Sequence, residues 1–507
     1  MSAISNLLSN CASSAIPYPT VFGAQFTSIQ ASVTRNYTVD SPNSTNPNHW
    51  DISGSNISFC NVTITHTHPG QEDKLTTQIW LPIDPPWNKR LQATGGGGWV
   101  AGLSAQFDFH RNGAVAEGYA TVSTDAGISG GVEDWALKSP GNVDLNRLQN
   151  FASVGLKDAV LATKSVIKSF YGEEAKYSYF SGCSQGGRQG LMFAQRYPDV
   201  FDGIAAAAPA INYGNFFLSE LYPALIMQST GEIPQPCELD AVQAAAFKVC
   251  DGNDGLVDGI ISHPDSCTFD PYSVVGAALN CSEAPHVKAI SKAAARVAEA
   301  AWYGARTENG EFLWYTSGIQ APLTGPLAIA SPACSTNGTC SVLVWPVYAD
   351  WLRFFLIKDA DYSFKDLTRK EFERVYRISV QEYDSIIGTS WADLREFRDA
   401  GGKAITYHGT ADTGIPFYNS RHYYKAVTAV DSKVHNYYRL FEAPGLSHCS
   451  GGIGGYPGGT FDALVKWVEQ GIAPDSLEAR SATTNKTSIL CPYPKKAVFA
   501  AGRFVCE

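Results

Sequence analysis

Apolar and polar positions alternate along KLTTQIWLPI (74–83), which predicts a strand. RLQATGGGG (90–98) reads as a strand running into a glycine loop, and YATVSTDAG (119–127) as a buried strand ending in a turn. The spacing then changes: in LKDAVLATKSVIKSFYG (156–172) apolar residues recur at helical intervals, and KYSYFSG (176–182) returns to an aromatic-rich strand. The same texture resumes at KAITYHGTADTGIP (403–416) and YRLFEAPGLSHCSGG (438–452), followed by the amphipathic FDALVKWVEQG. Strands that alternate with helices predict an α/β fold with a mostly parallel sheet. From about Asn212 to about Thr389 the pattern differs. Cys237, Cys250, Cys267 and Cys281 are followed by the Trp/Tyr-rich helical stretches ISKAAARVAEAAWYG and WPVYADWLRFFL, a change that predicts an inserted domain. No internal repeat or low-complexity segment is evident.

The 507 residues are enough for one large α/β core plus a sizeable insertion, and 44% apolar with only 17% charged residues describes a packed protein that binds in clefts. A formal charge of −10 without a Lys/Arg run excludes nucleic acid and an anionic membrane surface as main partners. No stretch reaches the roughly 18 to 20 apolar residues of a membrane span. The N-terminal MSAISNLLSNCASS lacks a basic region and apolar core, so it reads as a mature form carrying an added start methionine. Twelve cysteines, not arranged as paired CxxC ligands, predict disulfides rather than zinc. Sequons at Asn36, Asn43, Asn56, Asn61, Asn280, Asn337 and Asn485 agree with a secreted, extracellular glycoprotein.

The chemistry concentrates in SGCSQGGRQG (181–190). A strand, the turn G-C-S-Q-G and an amphipathic segment give the strand, tight turn and helix that expose a nucleophilic serine, here Ser184. The alternative is a glycine-rich turn with an incidental serine. A serine hydroxyl needs a base, and in α/β hydrolases the order is Ser, then Asp or Glu, then His. Asp412 in TADTGIP and His448 in GLSHCSGG follow in that order, each just past a strand, where ligands bind at the carboxyl edge of a parallel sheet. For a developing oxyanion, the backbone N–H of Gln185 is one donor. The TGGGGWV loop (94–100) offers a second from Gly96 or Gly97, between which the sequence does not choose. Cys183 precedes the candidate nucleophile and Cys449 follows the candidate base, so a disulfide between them would join the two loops covalently.

Cys183-Ser184, Asp412 and His448-Cys449, with TGGGGW and SGCSQGG, resemble the tannase and feruloyl esterase family of secreted fungal hydrolases over almost the whole chain. The resemblance implies an α/β-hydrolase catalytic domain (1–209 and 395–507), a lid domain inserted at 210–394, and hydrolysis of aromatic-acid esters. It also implies a structural calcium ion in the lid. CDGNDGLVDGIIS (250–262) matches the family's ion-binding loop, with Asp251, Asp254 and Asp258 as carboxylate ligands and Leu256 and Ile260 as carbonyl ligands, a hard-oxygen set suited to calcium. Its spacing is not that of an EF-hand. Cys250 and Cys267 flank the loop and would close it. The other pairs expected are Cys11 with Cys60, Cys237 with Cys281, Cys334 with Cys340, and Cys491 with Cys506.

The implied reaction is acyl transfer through a serine acyl-enzyme with no redox cofactor. Its partners are small aromatic-acid esters, free or attached to plant polysaccharide or polyphenol. The compact spacing from Asp412 to His448, without the long insertion of the fungal tannases, leans toward hydroxycinnamate (feruloyl-type) esters. A tannase acting on gallates is the alternative, and a non-catalytic binding protein on a hydrolase fold is a remote one.

Overall fold

Nine strands form one sheet in the computed structural model, which describes residues 3–325, 328–330, 332–335, 339–500 and 502–507; Asn337 lies outside the described residues. In chain order the strands are β1 (Gln25–Ser41), β2 (Ile52–Thr67), β3 (Leu75–Asp84), β4 (Arg90–Thr94), β5 (Ala120–Thr124), β6 (Tyr177–Cys183), β7 (Gly203–Ala207), β8 (Lys403–Gly409) and β9 (Tyr438–Ala443). Their spatial order is β1-β2-β3-β5-β4-β6-β7-β8-β9. From β5 to β9 every neighbouring pair is parallel, while β1, β2 and β3 extend the sheet as an antiparallel edge. The fold is therefore α/β with a mostly parallel sheet, as the alternating pattern requires. The first 70 residues add a long hairpin that the sequence reading did not assign.

Period-two alternation places consecutive residues on opposite faces, and here both faces are buried. Phe180, Ile204, Ala206, Ala404 and Leu440 join the larger apolar cluster, whereas their neighbours Tyr179, Ala205, Ile405 and Phe441 join a second cluster. Helices α1 (Val154–Tyr171) and α2 (Gln185–Arg196) pack into the first cluster; α3 (Thr460–Gln470) brings Phe461, Leu464 and Trp467 to the second. Helix α1 ends where Gly172 takes the left-handed conformation (φ 78°), a backbone state that glycine adopts without a Cβ penalty.

Between Ala207 and Lys403 the described chain adds nothing to this sheet. The segment carries an apolar cluster of its own around Leu239, Val242, Ala294, Val297 and Trp302, formed by helices Pro236–Cys250 and Lys292–Trp302. Six disulfides tie the chain: Cys11–Cys60, Cys183–Cys449, Cys237–Cys281, Cys250–Cys267, Cys334–Cys340 and Cys491–Cys506. No described cysteine is free. No helix among the described residues is long and apolar enough to cross a membrane.

Candidate active site

Ser184 stands at the junction of β6 and α2 with φ 62° and ψ −124°, a conformation that costs a serine about 1–3 kcal/mol and persists only where its surroundings enforce it. They do so through the backbone: the Ser184 N–H donates to Ala207 O (3.0 Å), and its carbonyl accepts from Arg188 N (2.9 Å) and Ala210 N (3.0 Å). The glycines around it are steric requirements. A Cβ on Gly182 would fall 2.7 Å from the carbonyl carbon of Gly186, and one on Gly187 would fall 2.4 Å from Ala207 O. The result is a half-buried serine at the first turn of a helix, where the unpaired N–H groups favour negative charge.

Asp412 and His448 arrive from the ends of β8 and β9. His448 Nδ1 lies 2.8 Å from Asp412 Oδ2. The other carboxylate oxygen of Asp412 accepts the N–H groups of Gly414 (2.7 Å) and Ile415 (2.9 Å), so the acid is held from two sides while 1% exposed. Burial opposes ionisation of Asp412, but His448 and the hydrogen bonds from His408 and His448 depress its pKa well below the ordinary carboxylate range. Burial likewise opposes a charged His448, yet the facing Asp412 carboxylate holds the imidazole above the ordinary histidine value.

Two residues in this arrangement escaped the sequence reading. His408, four residues before Asp412, places Nε2 3.1 Å from Asp412 Oδ2 and 3.0 Å from the Ile415 carbonyl. Both neighbours accept, so Nε2 carries the hydrogen. Nδ1 lies 2.7 Å from the Ser420 hydroxyl. The YHGTAD string held this signal in its i, i+4 pair. Arg188 is fully buried, and burial lowers its pKa to about 9. Its guanidinium reaches Gln185 Oε1 (2.9 Å), Ala152 O (3.0 Å) and Thr389 Oγ1 (3.2 Å), fastening the side chain whose backbone N–H follows the serine.

Ser184, Gln185, Gly96, Gly97, His448 and Cys449 all line one cavity of about 670 Å³. This size suits a small ligand with one or two rings. The glycine loop is tied to the elbow: Gly96 N–H donates to Gln189 Oε1 (3.2 Å) and Gly96 O accepts from Gly186 N (3.0 Å). Engagement of the Gly96 N–H leaves Gly97 the better candidate for a second oxyanion donor. Much of the remaining wall is aromatic, with Trp99, Tyr213, Phe216, Phe217, Trp345 and Tyr348 prominent, while Asn43, Ser44, Thr45 and Gln106 form a polar side; Tyr213 and Phe217 stack at 3.8 Å between centroids. The Trp99 indole N–H and the Tyr213 hydroxyl of this aromatic wall are buried without a protein partner.

The Cys183–Cys449 disulfide binds the residue before the serine to the residue after the histidine, with Cα atoms 5.9 Å apart and a sequence separation of 266. In the chain-entropy account a loop of that length is worth about 5.6 kcal/mol. Cys449 takes φ 62°, and its carbonyl accepts from the Tyr407 hydroxyl at 2.9 Å, which anchors the histidine loop.

The candidate calcium loop lies away from this cavity. Asp251 is buried, and its carboxylate accepts from the N–H groups of Asp258 (3.2 Å), Gly259 (3.0 Å) and Ile260 (3.2 Å). The Asp258 carboxyl is pushed up by burial and then by the negative Asp254 and Asp251 beside it, a crowding that a dication would relieve. The ligand atoms of the three carboxylates do not all come within 4.8 Å of one another. The donor set is all hard oxygen, the class that fits calcium, and Lys486 is the protein cation that acts on Asp258.

Of the sequons, Asn36, Asn56, Asn280 and Asn485 are exposed, whereas Asn61 is half-buried and Asn43 lies at the edge of the Ser184 cavity.

The mixed sheet and the serine elbow at its carboxyl edge make the protein an α/β hydrolase. Residues 60–506 match the family model described as "Tannase and feruloyl esterase". The chain is 39% identical over 451 residues to a probable feruloyl esterase of Arthroderma benhamiae, covering 86% of this chain and 82% of that protein. Among solved structures it resembles the tannin acyl hydrolase of Aspergillus niger (TM-score 0.86, 26% identity, 100% of this chain and 94% of that one). It also resembles feruloyl esterase B of Aspergillus oryzae (TM-score 0.78, 25% identity, 99% and 100%). The chain belongs to the tannase and feruloyl esterase family, whose named members are carboxylic ester hydrolases.

Proposed function

We propose that the protein is a secreted serine esterase that hydrolyses esters of phenolic acids of the hydroxycinnamate type. The observation that carries this reading is that His448, hydrogen-bonded to the buried Asp412, lines the same cavity as Ser184. In the mechanism, His448 accepts the Ser184 proton as the hydroxyl oxygen attacks the ester carbonyl, and Asp412 keeps the imidazole in the productive tautomer. The Gln185 and Gly97 N–H groups hold the oxyanion. His448 then protonates the leaving alcohol, and water repeats the sequence on the acyl-enzyme. The aromatic walls supply apolar area for a phenolic acyl group, and the buried Tyr213 hydroxyl offers a partner for a ring substituent. Secretion is supported by the disulfides and the exposed sequons.

Gallate esters form a second reading, favoured by the higher TM-score to the tannin acyl hydrolase. Methyl ferulate, methyl caffeate and methyl gallate assayed side by side separate the two. We expect kcat/KM for the cinnamates to exceed that for the gallate at least tenfold; the reverse order would establish the tannase reading, and no turnover of any ester would point to a binding protein.

We further propose that Asp251, Asp254 and Asp258, with the Leu256 and Ile260 carbonyls, hold a structural calcium ion. Bound calcium would neutralise the crowded carboxylates and stabilise the folded chain by mass action. EGTA should lower the Tm by several degrees, with restoration by Ca²⁺ and not by equimolar Mg²⁺. An unchanged Tm would remove calcium from the account.

A further inference from the structure

Among the described residues one group of His, Cys, Asp or Glu side chains brings three ligand atoms within 4.8 Å of one another: His66, His68 and Asp158. It is separate from the Ser184 cavity, which none of the three residues lines. His66 is the penultimate residue of β2, His68 follows that strand's end at Thr67, and Asp158 projects from α1, so the cluster joins the antiparallel edge to a core helix. All three are buried, at 0%, 5% and 1% exposure.

Hydrogen bonding explains two of the three residues. His68 sits between carboxylates, with Nδ1 2.6 Å from Asp73 Oδ2 and Nε2 2.9 Å from Asp158 Oδ2. Asp73 is itself fixed by the Asn150 amide (2.8 Å), the Thr67 hydroxyl (3.0 Å) and the His68 N–H (2.7 Å). The other oxygen of Asp158 pairs with Lys157 at 2.8 Å. His66 is unexplained. Both its ring nitrogens are buried and neither has a protein hydrogen-bond partner, although a neutral imidazole carries one donor and one acceptor. Its ring meets His68 edge-on at 5.5 Å between centroids and packs against Phe26 at 5.2 Å.

We propose that His66, His68 and Asp158 form a binding site for a divalent transition-metal ion of the zinc type. Two imidazole nitrogens and one carboxylate oxygen are a donor set of that class, with a fourth position left for water. Tetrahedral ligands at zinc distances stand about 3.3 Å apart, so the His68–Asp158 contact needs only a small opening. The support behind His68 is already in place. When the ion takes Nε2, that nitrogen gives up its proton to solvent, while Nδ1–H remains on Asp73; the resulting carboxylate–histidine–metal chain fixes the tautomer. Exchanging one proton for a dication adds one positive charge, which is set against the Asp73 and Asp158 carboxylates on either side of His68, and the ligand Asp158 keeps Lys157 on its outer oxygen.

The test uses the full-length, untagged, disulfide-intact protein after dialysis against EDTA. Calorimetric titration with ZnCl₂ should give one equivalent bound at micromolar affinity or tighter, and Co²⁺ should give the visible spectrum of a nitrogen- and oxygen-ligated ion. His66→Phe should weaken zinc binding at least 100-fold while methyl ester turnover stays within twofold of wild type. Asp73→Asn should weaken it about 10- to 100-fold. Asp158→Asn provides a second ligand variant should either of the others fail to fold. The proposal is overturned if wild-type protein binds less than half an equivalent, or if a folded His66→Phe or Asp158→Asn chain binds zinc with unchanged affinity. The first result would make the cluster a hydrated ion pair, and the second would put the ion elsewhere.

Discussion

Ser184→Ala should lower kcat for methyl ferulate by about a millionfold, because a serine protein stripped of its nucleophile keeps only binding and oxyanion stabilisation. The loss is expected to be confined to chemistry. The Ser184 hydroxyl makes no hydrogen bond on which the fold depends; the elbow is held by backbone contacts to Ala207, Arg188 and Ala210, which alanine preserves. Alanine also accepts φ 62° at about the same cost as serine, so the Tm should move by no more than a few degrees. Ferulate should still bind, since the aromatic walls are untouched. A variant that retains even a hundredth of wild-type turnover would show that another group is the nucleophile, whereas a wild type that binds phenolic esters without turning them over would revive the non-catalytic reading.

The sequence made this site readable because its chemistry is local. The strand KYSYF, the turn around Ser184 and the helix that follows are contiguous, and the two cysteines mark the two loops that must meet. Asp412 and His448 were found through chain order and strand ends. What escaped depends on distance. Arg188 looks like an ordinary helical arginine until Phe151, Ala152 and Thr389 surround it. The choice between Gly96 and Gly97 needed the Gln189 side chain, one helical turn beyond the elbow. The metal cluster needed Asp158, 90 residues after His68 in the chain.

The fold divides similarly. The parallel strands β4, β5, β6, β8 and β9 are short, largely buried on both faces and bounded by turns, so pattern alone marks them, whereas β7 (Gly203–Ala207) went unassigned. The hairpin β1–β2 did not declare itself. Its outer strand is largely polar, with all but two positions exposed or half-buried, and register shifts at Phe26, Thr34 and Tyr37 break the alternation that a strand reading relies on. Asn36, a sequon residue at φ 54°, lies inside one of these irregularities. The inserted segment was recognisable by its change of texture, but its content was not. The aromatic wall over Ser184 combines Tyr213, Phe216 and Phe217 with Trp345 and Tyr348, which are more than 120 residues further along. Composition predicts such residues without predicting that they converge.

Asp412→Asn should reduce kcat about 10⁴-fold, a barrier increase of about 5 kcal/mol, and should also move the pH profile. On the proposed mechanism, wild-type activity should require neutral His448 and should be lost as pH falls through its raised pKa. Asparagine removes the negative charge that opposes burial, so the imidazole should titrate lower and the acid limb of kcat/KM should shift to lower pH. The surviving rate should therefore be small but more acid-tolerant. Asparagine can also present its amide N–H to Nδ1, stabilising the tautomer that cannot take the serine proton. The Gly414 and Ile415 N–H groups still find a carbonyl acceptor at this position, and His408 retains the Ile415 carbonyl, so the loop should keep its shape. An acid limb that stays in place would mean that His448 owes its basicity to something other than Asp412, and a limb that rises would reverse the electrostatic argument. A rate within tenfold of wild type would remove Asp412 from the catalytic machinery, leaving its hydrogen bonds to His408 and His448 a structural role only.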